Sequence, residues 1–384
     1  MIQPVMLGLL ASFVGFSSSF AVMLQGFVAM GATPAQAASG LTVITFIMGA
    51  LGAWYSWRTR IPMAIAWSTP GGALLAASAA PEGGFAAAVG AFMLAGVLVL
   101  LAGLWKPLLR AVEGIPGPIA NAMLAGVLLD LCLAPARAVG ALPWMALPVV
   151  LTWLMLLRFA RLWAVPAAVV MAGTLIAVFS PLPVGALDGA GLRLEFVMPV
   201  FEPAALLGIG VPLFLVTMAS QNVPGLAVLQ AFGWKPPAGR VFVATGGASA
   251  VGALFGGQMV NFAAITAAMC AGPEAHPDPK RRWVAAFSNG CGYMVIALGA
   301  GLAAAAAAAA PQVLIQAVAG LALLGSMAGA LRAAVAEDAL RVPAVLCFVT
   351  CASGLSFGGV GAAFWGLLAG LAAAAVLRVG DQPR

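Results

Sequence analysis

Long apolar stretches, each about the 20 residues that a helix needs to cross a membrane, follow one another along the chain and are separated by charges, Pro or Gly. Seven of them precede a polar, Gly-rich connection at 181–202 and lie at 6–30, 36–56, 64–80, 85–104, 116–134, 141–157 and 163–180. Seven more follow it, at 204–230, 239–255, 258–272, 283–305, 311–331, 342–357 and 360–377. This pattern predicts an all-α polytopic membrane protein with 14 transmembrane segments.

Composition and charge agree with that class. Hydrophobic residues make up 63% of the 384-residue chain and charged residues 7%, where a soluble domain carries about 25%. If the N-terminus is cytoplasmic, the basic residues divide between the two sides as fifteen inside and two outside, Arg137 and Arg193. Cytoplasmic loops are the ones that concentrate Lys and Arg, so we expect both termini in the cytoplasm. The net charge of +6 is spread over small groups, which argues against a nucleic-acid partner.

The odd number of spans in each half implies that the two halves have opposite orientations in the membrane. We therefore predict a first repeat at 1–180 (spans 1–7), an external connecting loop at 181–202 and a second, inverted repeat at 203–384 (spans 8–14). Inverted repeats are typical of secondary transporters, whose substrates bind near the middle of the membrane.

The third span of each half is interrupted. "AWSTPGGALLAA" (66–77) and "GGQMVNFAAITAAMCAG" (256–272) are short and Gly-containing, and both predict an extended piece followed by a half-helix. We expect Thr69 as N-cap with Pro70 and Gly71 in the first turn of one half-helix, and Asn261 as N-cap of the other. Two half-helix N-termini facing one cavity would favour an anionic group.

Polar residues also interrupt spans 1 and 8. Ser17 and Ser19 stand in the first of these spans, and Gln221 and Asn222 precede Pro224 in the second. Small polar residues often form hydrogen bonds between helices, but amides and hydroxyls at mid-membrane also mark substrate sites. We predict a substrate role for the two amides and leave both readings open for the serines.

Four aromatic residues are candidates for the same site. Phe20 and Phe262, with Trp67 as a further candidate, are placed to flank an aromatic ring, although contact with lipid or core packing is the more common role of a single aromatic residue in such a chain. Tyr293, in span 11, either reaches the pocket or packs between helices.

Three stretches of the chain resemble a known family: "AWSTPGGALL" (66–75), "VPLFLVTMASQNVPGLAVL" (211–229) and "NFAAITAAMCAGPEAHPDPKRRW" (261–283). They look like the bacterial benzoate membrane transport protein (BenE) family, and the likeness runs over nearly the whole chain. The resemblance implies proton-coupled import of benzoate across the bacterial inner membrane.

The family is similar in architecture to the uracil permease and sulfate transporter groups. That similarity implies a core domain of spans 1–4 and 8–11 and a gate domain of spans 5–7 and 12–14. Where the nucleobase branch carries carboxylates in spans 8 and 10, this chain has the neutral Gln221, Asn222 and Asn261. Neutral amides suit a carboxylate substrate, which a fixed carboxylate would repel.

The sequence offers two candidates for carrying a coupled proton, Asp130 and His276. Asp130 is the one carboxylate well inside a predicted span, and its position late in span 5 also fits the outer surface. His276, the only histidine, lies with Glu274 and Asp278 in a predicted loop, where ordering of the loop is the alternative to a proton relay. We expect no cofactor and no metal site, because the sequence contains neither a phosphate-binding loop nor a cluster of metal ligands.

Other functions remain as alternatives. An intramembrane enzyme would need a nucleophile with a base, or a metal set, within the spans, and the sequence offers neither. An anion channel, or a transporter of another small organic anion or a nucleobase on the same fold, stays open. A homodimer is compatible with the sequence.

Overall fold

The computed structural model of the protein describes residues 2–179, 191–263, 265–357 and 360–380. In the first half the helices are α1 (Ile2–Ser17), α2 (Phe20–Ala29), α3 (Pro34–Thr59), α4 (Thr69–Ala76), α5 (Gly84–Leu104), α6 (Lys106–Glu113), α7 (Gly117–Ala141), α8 (Pro143–Phe159) and α9 (Ala164–Phe179). In the second half they are α10 (Pro203–Ala205), α11 (Val211–Thr217), α12 (Val223–Ala231), α13 (Ala238–Ala253), α14 (Ile265–Ala271), α15 (Trp283–Ala309), α16 (Gln312–Ala334), α17 (Arg341–Ala352) and α18 (Ala362–Gly380).

The molecule is a mostly helical membrane protein. Among the described residues, eight helices or joined helical segments are long and apolar enough to cross a membrane. The other six predicted spans hold the shorter helices α8, α13, α17 and α18 and two segments in which a short strand precedes a short helix. Part of the predicted loop at 181–202 lies outside the described residues. Its remainder, from 191 onward, forms no helix or strand, and Val197 N–H donates to Leu254 O at 2.8 Å.

The two strands, β1 (Ile65–Trp67) and β2 (Val260–Phe262), pair with each other in antiparallel orientation. Ala66 lies opposite Asn261 at the centre of the register. Both strands are buried, and each leads into a short helix, β1 into α4 and β2 toward α14. The extended pieces predicted in spans 3 and 10 are therefore present, and they bond to each other.

Serine hydroxyls accompany the break between α1 and α2. Ser17 Oγ donates to Phe13 O at 2.7 Å, and Ser18 Oγ and Ser19 Oγ both donate to Gly15 O at 3.1 Å. The last four carbonyls of a helix have no partner within it, so the hydroxyls of Ser18 and Ser19 satisfy the Gly15 carbonyl, which would otherwise be costly in an apolar surrounding.

The segment from α10 to α12 is continuous but contains two π-helical stretches, Leu206–Gly210 and Met218–Asn222. The second stretch includes the predicted polar residues Gln221 and Asn222. Single π-helical turns inside α-helices are frequent at functional sites.

The helices pack in two groups. The most extensive contacts of the first group join α3 with α15, α5 with α13 and α1 with α15. Those of the second join α7 with α16 and α17, α17 with α18, and α8 with α9. The helices α2 and α4, which contact each other, belong with the first group. Fewer contacts cross between the groups, and the main ones join α2 with α16 and α4 with α7.

Close approach of α3 and α15 depends on glycine. A Cβ at Gly290 of α15 would lie 2.5 Å from Ala53 N and 2.5 Å from Gly49 O, whereas a Cβ at Gly299 of the same helix would meet nothing within 4 Å. Gly290 is buried and Gly299 is exposed. Substitution by alanine changes helix propensity at both positions but disturbs packing only at Gly290.

We expect Gly290→Ala to destabilise the protein by about 1–3 kcal/mol, the usual cost of overpacking a well-packed contact. Gly299→Ala is the matched control and should be neutral or stabilising by up to about 1 kcal/mol, because alanine favours the helix. Thermal unfolding of the two purified variants measures the difference. Equal melting temperatures would show that α3 and α15 do not approach each other this closely.

Candidate functional site

The candidate site is built around the paired strands. Ser68 N donates to Met259 O at 2.9 Å and Ala263 N donates to Ala64 O at 3.0 Å, which extends the pairing beyond both ends of the strands. Backbone at membrane depth is tolerated only where its polar groups find partners within the protein or line a cavity. The cross-strand bonds supply such partners for the extended pieces of spans 3 and 10.

The cap of α4 is Ser68, and the expectation that Thr69 would cap this helix is wrong. Ser68 Oγ accepts from Gly71 N at 3.1 Å and from the Thr217 hydroxyl at 2.9 Å. Thr69 and Pro70 occupy the first two helical positions. A serine one residue earlier serves as cap because β1 ends at Trp67, which leaves Ser68 with the extended backbone that a capping residue needs.

Asn261 is not a helix cap, and that expectation is also wrong. It lies in the middle of β2, opposite Ala66, and its side chain is fully buried. Asn261 Nδ2 donates to Phe262 O at 2.7 Å, and Oδ1 has no partner among the described residues. Continuation of β2 to Phe262 moves the start of α14 to Ile265, beyond the reach of a cap at 261.

A cavity of about 110 Å³ lies beside the strand pair. Its lining comes from α1, the break before α2, both strand-to-helix segments, the second π-helical stretch, α15 and α16. The lining residues are Val14, Gly15, Ser18, Ser19, Ala66, Trp67, Thr69, Pro70, Gln221, Ala263, Thr266, Met269, Tyr293, Ala322 and Ser326. Five of the predicted site residues are therefore brought together here: Ser19, Thr69, Pro70, Gln221 and Tyr293.

Four other predicted residues lie behind the cavity wall. Ser17 is buried and bonded to its own helix. Gly71 is buried and its N–H is held by Ser68. Asn222 Oδ1 accepts from Phe262 N at 3.0 Å and so ties the π-helical stretch to β2, while the Phe262 ring packs edge-on against Phe242 at 5.9 Å. These contacts support the site from outside and do not line it.

Phe20 lies one layer away from the cavity. Its ring stacks on Phe16 at 5.5 Å, and the Phe16 ring lies 5.4 Å from the ring of Trp67. Phe20 lines a separate, apolar groove of about 260 Å³ between α2, α9, α15 and α16. Two aromatic residues border the cavity, Tyr293 and Trp67. Trp67 Nε1 donates to Ser19 Oγ at 2.8 Å.

Neither residue considered for proton coupling lies at the cavity. Asp130 pairs with Arg137 at 2.8 Å, and its side chain is 68% exposed. His276 Nδ1 accepts from Asp278 N at 3.0 Å within the turn that follows α14. That turn is held by the buried Arg282, whose Nη1 donates to Ala271 O at 3.1 Å and whose Nε donates to His276 O at 2.8 Å. A cation at the C-terminus of α14 also suits the helix dipole.

Among the lining residues that sequence reasoning did not single out, three bear on the cavity's chemistry or shape: Thr266, Gly15 and Ser326. Thr266 lies in the first turn of α14, is 5% exposed, and its Oγ1 has no partner in the described part of the chain. Gly15 makes room for Tyr293, because a Cβ there would overlap Oη of that tyrosine. Ser326 lies in α16, and the apolar character of that span hid the polar contact that it makes with the cavity. The hydroxyl of Thr266 directly after the predicted break was the one available signal in the sequence.

Comparison with known proteins assigns the chain to a family. A sequence profile of the benzoate membrane transport protein family (BenE) matches residues 2–376. The chain belongs to this family. It is 37% identical over 368 residues to the inner membrane protein YdcO of Escherichia coli (strain K12), covering 94% of this chain and 93% of that protein. It is 31% identical over 374 residues to the benzoate membrane transport protein of Acinetobacter baylyi, covering 96% and 94%.

Solved structures show the fold that this BenE-family chain shares with other proteins. The transmembrane domain of a cyanobacterial bicarbonate transporter, BicA, matches 97% of this chain and 98% of its own length, with a TM-score of 0.59 and 16% identity. The structure of SLC26A9 matches 99% of this chain and 66% of its own length, with a TM-score of 0.65 and 13% identity. At these identities the likeness concerns the fold alone.

Removal of the cap of α4 provides a test of the local structure in this family member. Ser68→Ala removes the acceptor of the Gly71 N–H and of the Thr217 hydroxyl, and should cost about 0.5–2 kcal/mol for the lost cap. Ser78→Ala is the matched control, because its hydroxyl bonds only Leu74 O near the other end of the helix. We expect a lower thermal midpoint for Ser68→Ala alone; a midpoint equal to that of Ser78→Ala would contradict this cap.

Proposed function

We propose that the protein imports benzoate, or a closely related aromatic carboxylate, together with protons across the bacterial inner membrane by alternating access. The observation that carries the proposal is the cavity between two strand-to-helix segments, lined by neutral hydrogen-bonding groups and one indole, in a chain of the benzoate membrane transport protein family. The name of the Acinetobacter baylyi relative supports the substrate, and the name of the Escherichia coli relative supports the location.

The proposed architecture is fourteen spans arranged as two inverted repeats of seven, with both termini in the cytoplasm. Symmetric packing supports it, since the contact of α3 with α15 (spans 2 and 11) has its counterpart in the contact of α13 with α5 (spans 9 and 4). The antiparallel pairing of β1 with β2 about Ala66 and Asn261 is what a two-fold axis through the strand pair would produce. The fifteen-to-two division of basic residues supports the orientation.

Within the cavity, the substrate's ring would pack against Trp67, Val14 and Met269. Its carboxyl group would reach the polar side chains of Thr69, Gln221, Thr266 and Tyr293, with Ser19 holding the Trp67 ring in place. The volume of about 110 Å³ is of the same order as the roughly 150 Å³ apolar cavity known to accept one benzene molecule.

Transport would proceed by movement of a core domain (spans 1–4 and 8–11) against a gate domain (spans 5–7 and 12–14). The two packing groups of helices support this division, because contacts within each group are far more extensive than those between them. The cavity would lie at their boundary, with Ser326 and Ala322 from the gate side and the other lining residues from the core side.

The site can be tested by substitutions that remove single polar groups. Gln221→Ala and Thr266→Val should each weaken benzoate binding by about 5- to 150-fold, since a hydrogen bond to a polar or charged ligand group contributes about 1–3 kcal/mol. Titration calorimetry of the purified variants measures the dissociation constants. Asn261→Ala, by contrast, is expected to lower stability more than affinity, because the side chain is buried away from the cavity.

Gln25→Ala is the control, because this amide pairs with Gln312 between α2 and α16 and lies away from the cavity. If Gln221→Ala and Thr266→Val both bind benzoate as the wild type does, the cavity is not the substrate site. If the wild type shows no benzoate binding, the substrate assignment fails.

Movement of the two domains can be tested where they meet. Gln25 Nε2 donates to Gln312 Oε1 at 3.2 Å, so cysteines at these two positions in a cysteine-free background should react with a short bifunctional thiol reagent. Cross-linking should stop benzoate uptake into proteoliposomes and leave binding intact. Single-cysteine variants and protein-free liposomes are the controls; full uptake by completely cross-linked protein would exclude the movement.

A further inference from the structure

None of the described residues that line the cavity is charged. Its polar lining residues are Ser18, Ser19, Thr69, Gln221, Thr266, Tyr293 and Ser326. Of these only the tyrosine titrates, and a free tyrosine has a pKa of about 10. A carboxylate that enters this cavity therefore meets neither a cation to pair with nor a side chain that would exchange a proton with it near neutral pH.

The acids of the chain lie elsewhere. The eleven acidic residues are Glu82, Glu113, Asp130, Asp188, Glu195, Glu202, Glu274, Asp278, Glu337, Asp338 and Asp381. Among the described residues whose burial is known, none of these acids is buried, and neither is His276. The cavity lining includes none of them.

None of the charged residues on the described elements that form the cavity or pack against it is among the residues that line the cavity. Lys106 and Arg110 on α6, which packs against the second π-helical stretch, are exposed, and so is Arg240 on α13, which packs against β2. On α7, Asp130 faces the surface and is neutralised by Arg137. Arg58 stands in the last turn of α3 and Arg332 in the last turn of α16. Arg282, before α15, is turned toward the carbonyls of Ala271 and His276.

The N-terminus of α4 offers few free donors to an anion. Pro70 has no N–H, Gly71 N donates to Ser68 Oγ at 3.1 Å, and Gly72 N donates to Ser68 O at 2.8 Å. A carboxylate is stabilised in a protein interior when two or three N–H groups or a cation contact it. In the first turn of α4, the helix's own cap uses most of these donors.

The neutral groups of the cavity match an undissociated carboxyl group better than a carboxylate. A carboxylate only accepts hydrogen bonds, whereas a carboxylic acid donates one and accepts others. The Gln221 amide provides both an acceptor and a donor, and the Thr266 hydroxyl can act as either. Thr266 Oγ1 has no partner among the residues that the structure describes.

We propose that benzoate is bound and carried as undissociated benzoic acid, so that the substrate itself carries the coupled proton. This inference rests on the proposed function and names the transported species. On the outer side one carboxylate oxygen forms an O–H bond with a proton from water; on the cytoplasmic side that bond breaks and the proton returns to water. One proton and one benzoate cross together, with no net charge and no protein group that changes its protonation state.

Binding measured against pH tests the proposal. Above a carboxyl pKa of about 4 the undissociated fraction falls tenfold per pH unit, so the apparent dissociation constant for total benzoate should rise about tenfold per unit between pH 6 and pH 8. Calorimetry of the full-length purified protein in buffers with different ionisation enthalpies should show about one proton taken up per benzoate bound. Benzamide, which is uncharged, should bind with no dependence on pH, and benzenesulfonate, which stays ionised, should not compete.

A variant carrying both Asp130→Asn and His276→Gln distinguishes the substrate from the protein as proton carrier. It should retain the uptake of one proton per benzoate, since neither residue lies at the cavity. Loss of that proton in the variant, a wild-type affinity independent of pH, or competition by benzenesulfonate equal to that of benzoate would each overturn the proposal. Absence of benzoate binding by the wild type at every pH would instead overturn the proposed function.

Discussion

The pairing of two broken spans is the interaction on which the rest of this structure depends. An interruption in a membrane helix exposes N–H and C=O groups, and each unsatisfied group in an apolar surrounding costs several kcal/mol, or roughly 2–7 on transfer scales. Here the two interruptions satisfy each other through β1 and β2, with Ala66 opposite Asn261. Either break alone would leave its backbone polar groups without these partners, which explains why both halves of the chain carry one.

The strand pair also determines where side chains can form a site. Because β1 leads into α4 and β2 leads toward α14, the starts of both short helices lie beside the same cavity. The Asn222 amide joins the π-helical stretch to β2 through Phe262 N, which brings Gln221 to the same place. Gly15 then lets Tyr293 approach from α15. Each lining group thus reaches the cavity through a backbone arrangement that the strand pair holds in position.

Much of the fold follows from the sequence, because apolar length and interruptions in apolar runs are properties of single segments. The intervals of the apolar stretches and the extended pieces of the two broken segments could be predicted in this way. The capping residues could not, since the choice between Ser68 and Thr69, or the role of Asn261, depends on where each strand ends. Strand length is set by pairing with a distant segment, and that information is not local.

The lining of the cavity was predictable only in part for a similar reason. Polar residues at the interruptions, such as Gln221 and Thr69, stand out from their apolar surroundings and were found. Phe262 looked equivalent in the sequence, but its alternation within β2 turns the ring toward Phe242. Ser326 was missed because a single hydroxyl in a long apolar helix can satisfy itself within that helix, so its residue type carries no signal; only the packing of α16 against α2 and its neighbours puts it at the cavity.

The neutral side chains around the cavity also determine which ligands the site can select. A fixed cation would bind any small anion, inorganic anions included, because Coulomb attraction has little dependence on the shape of the ligand. A site made of one amide, several hydroxyls and an indole must instead obtain its affinity from ring burial and from directional hydrogen bonds. Such a site favours ligands that have both an apolar ring and a compact polar group, and it leaves a well-hydrated inorganic anion in water, since nothing in the cavity would replace the hydration that the anion loses.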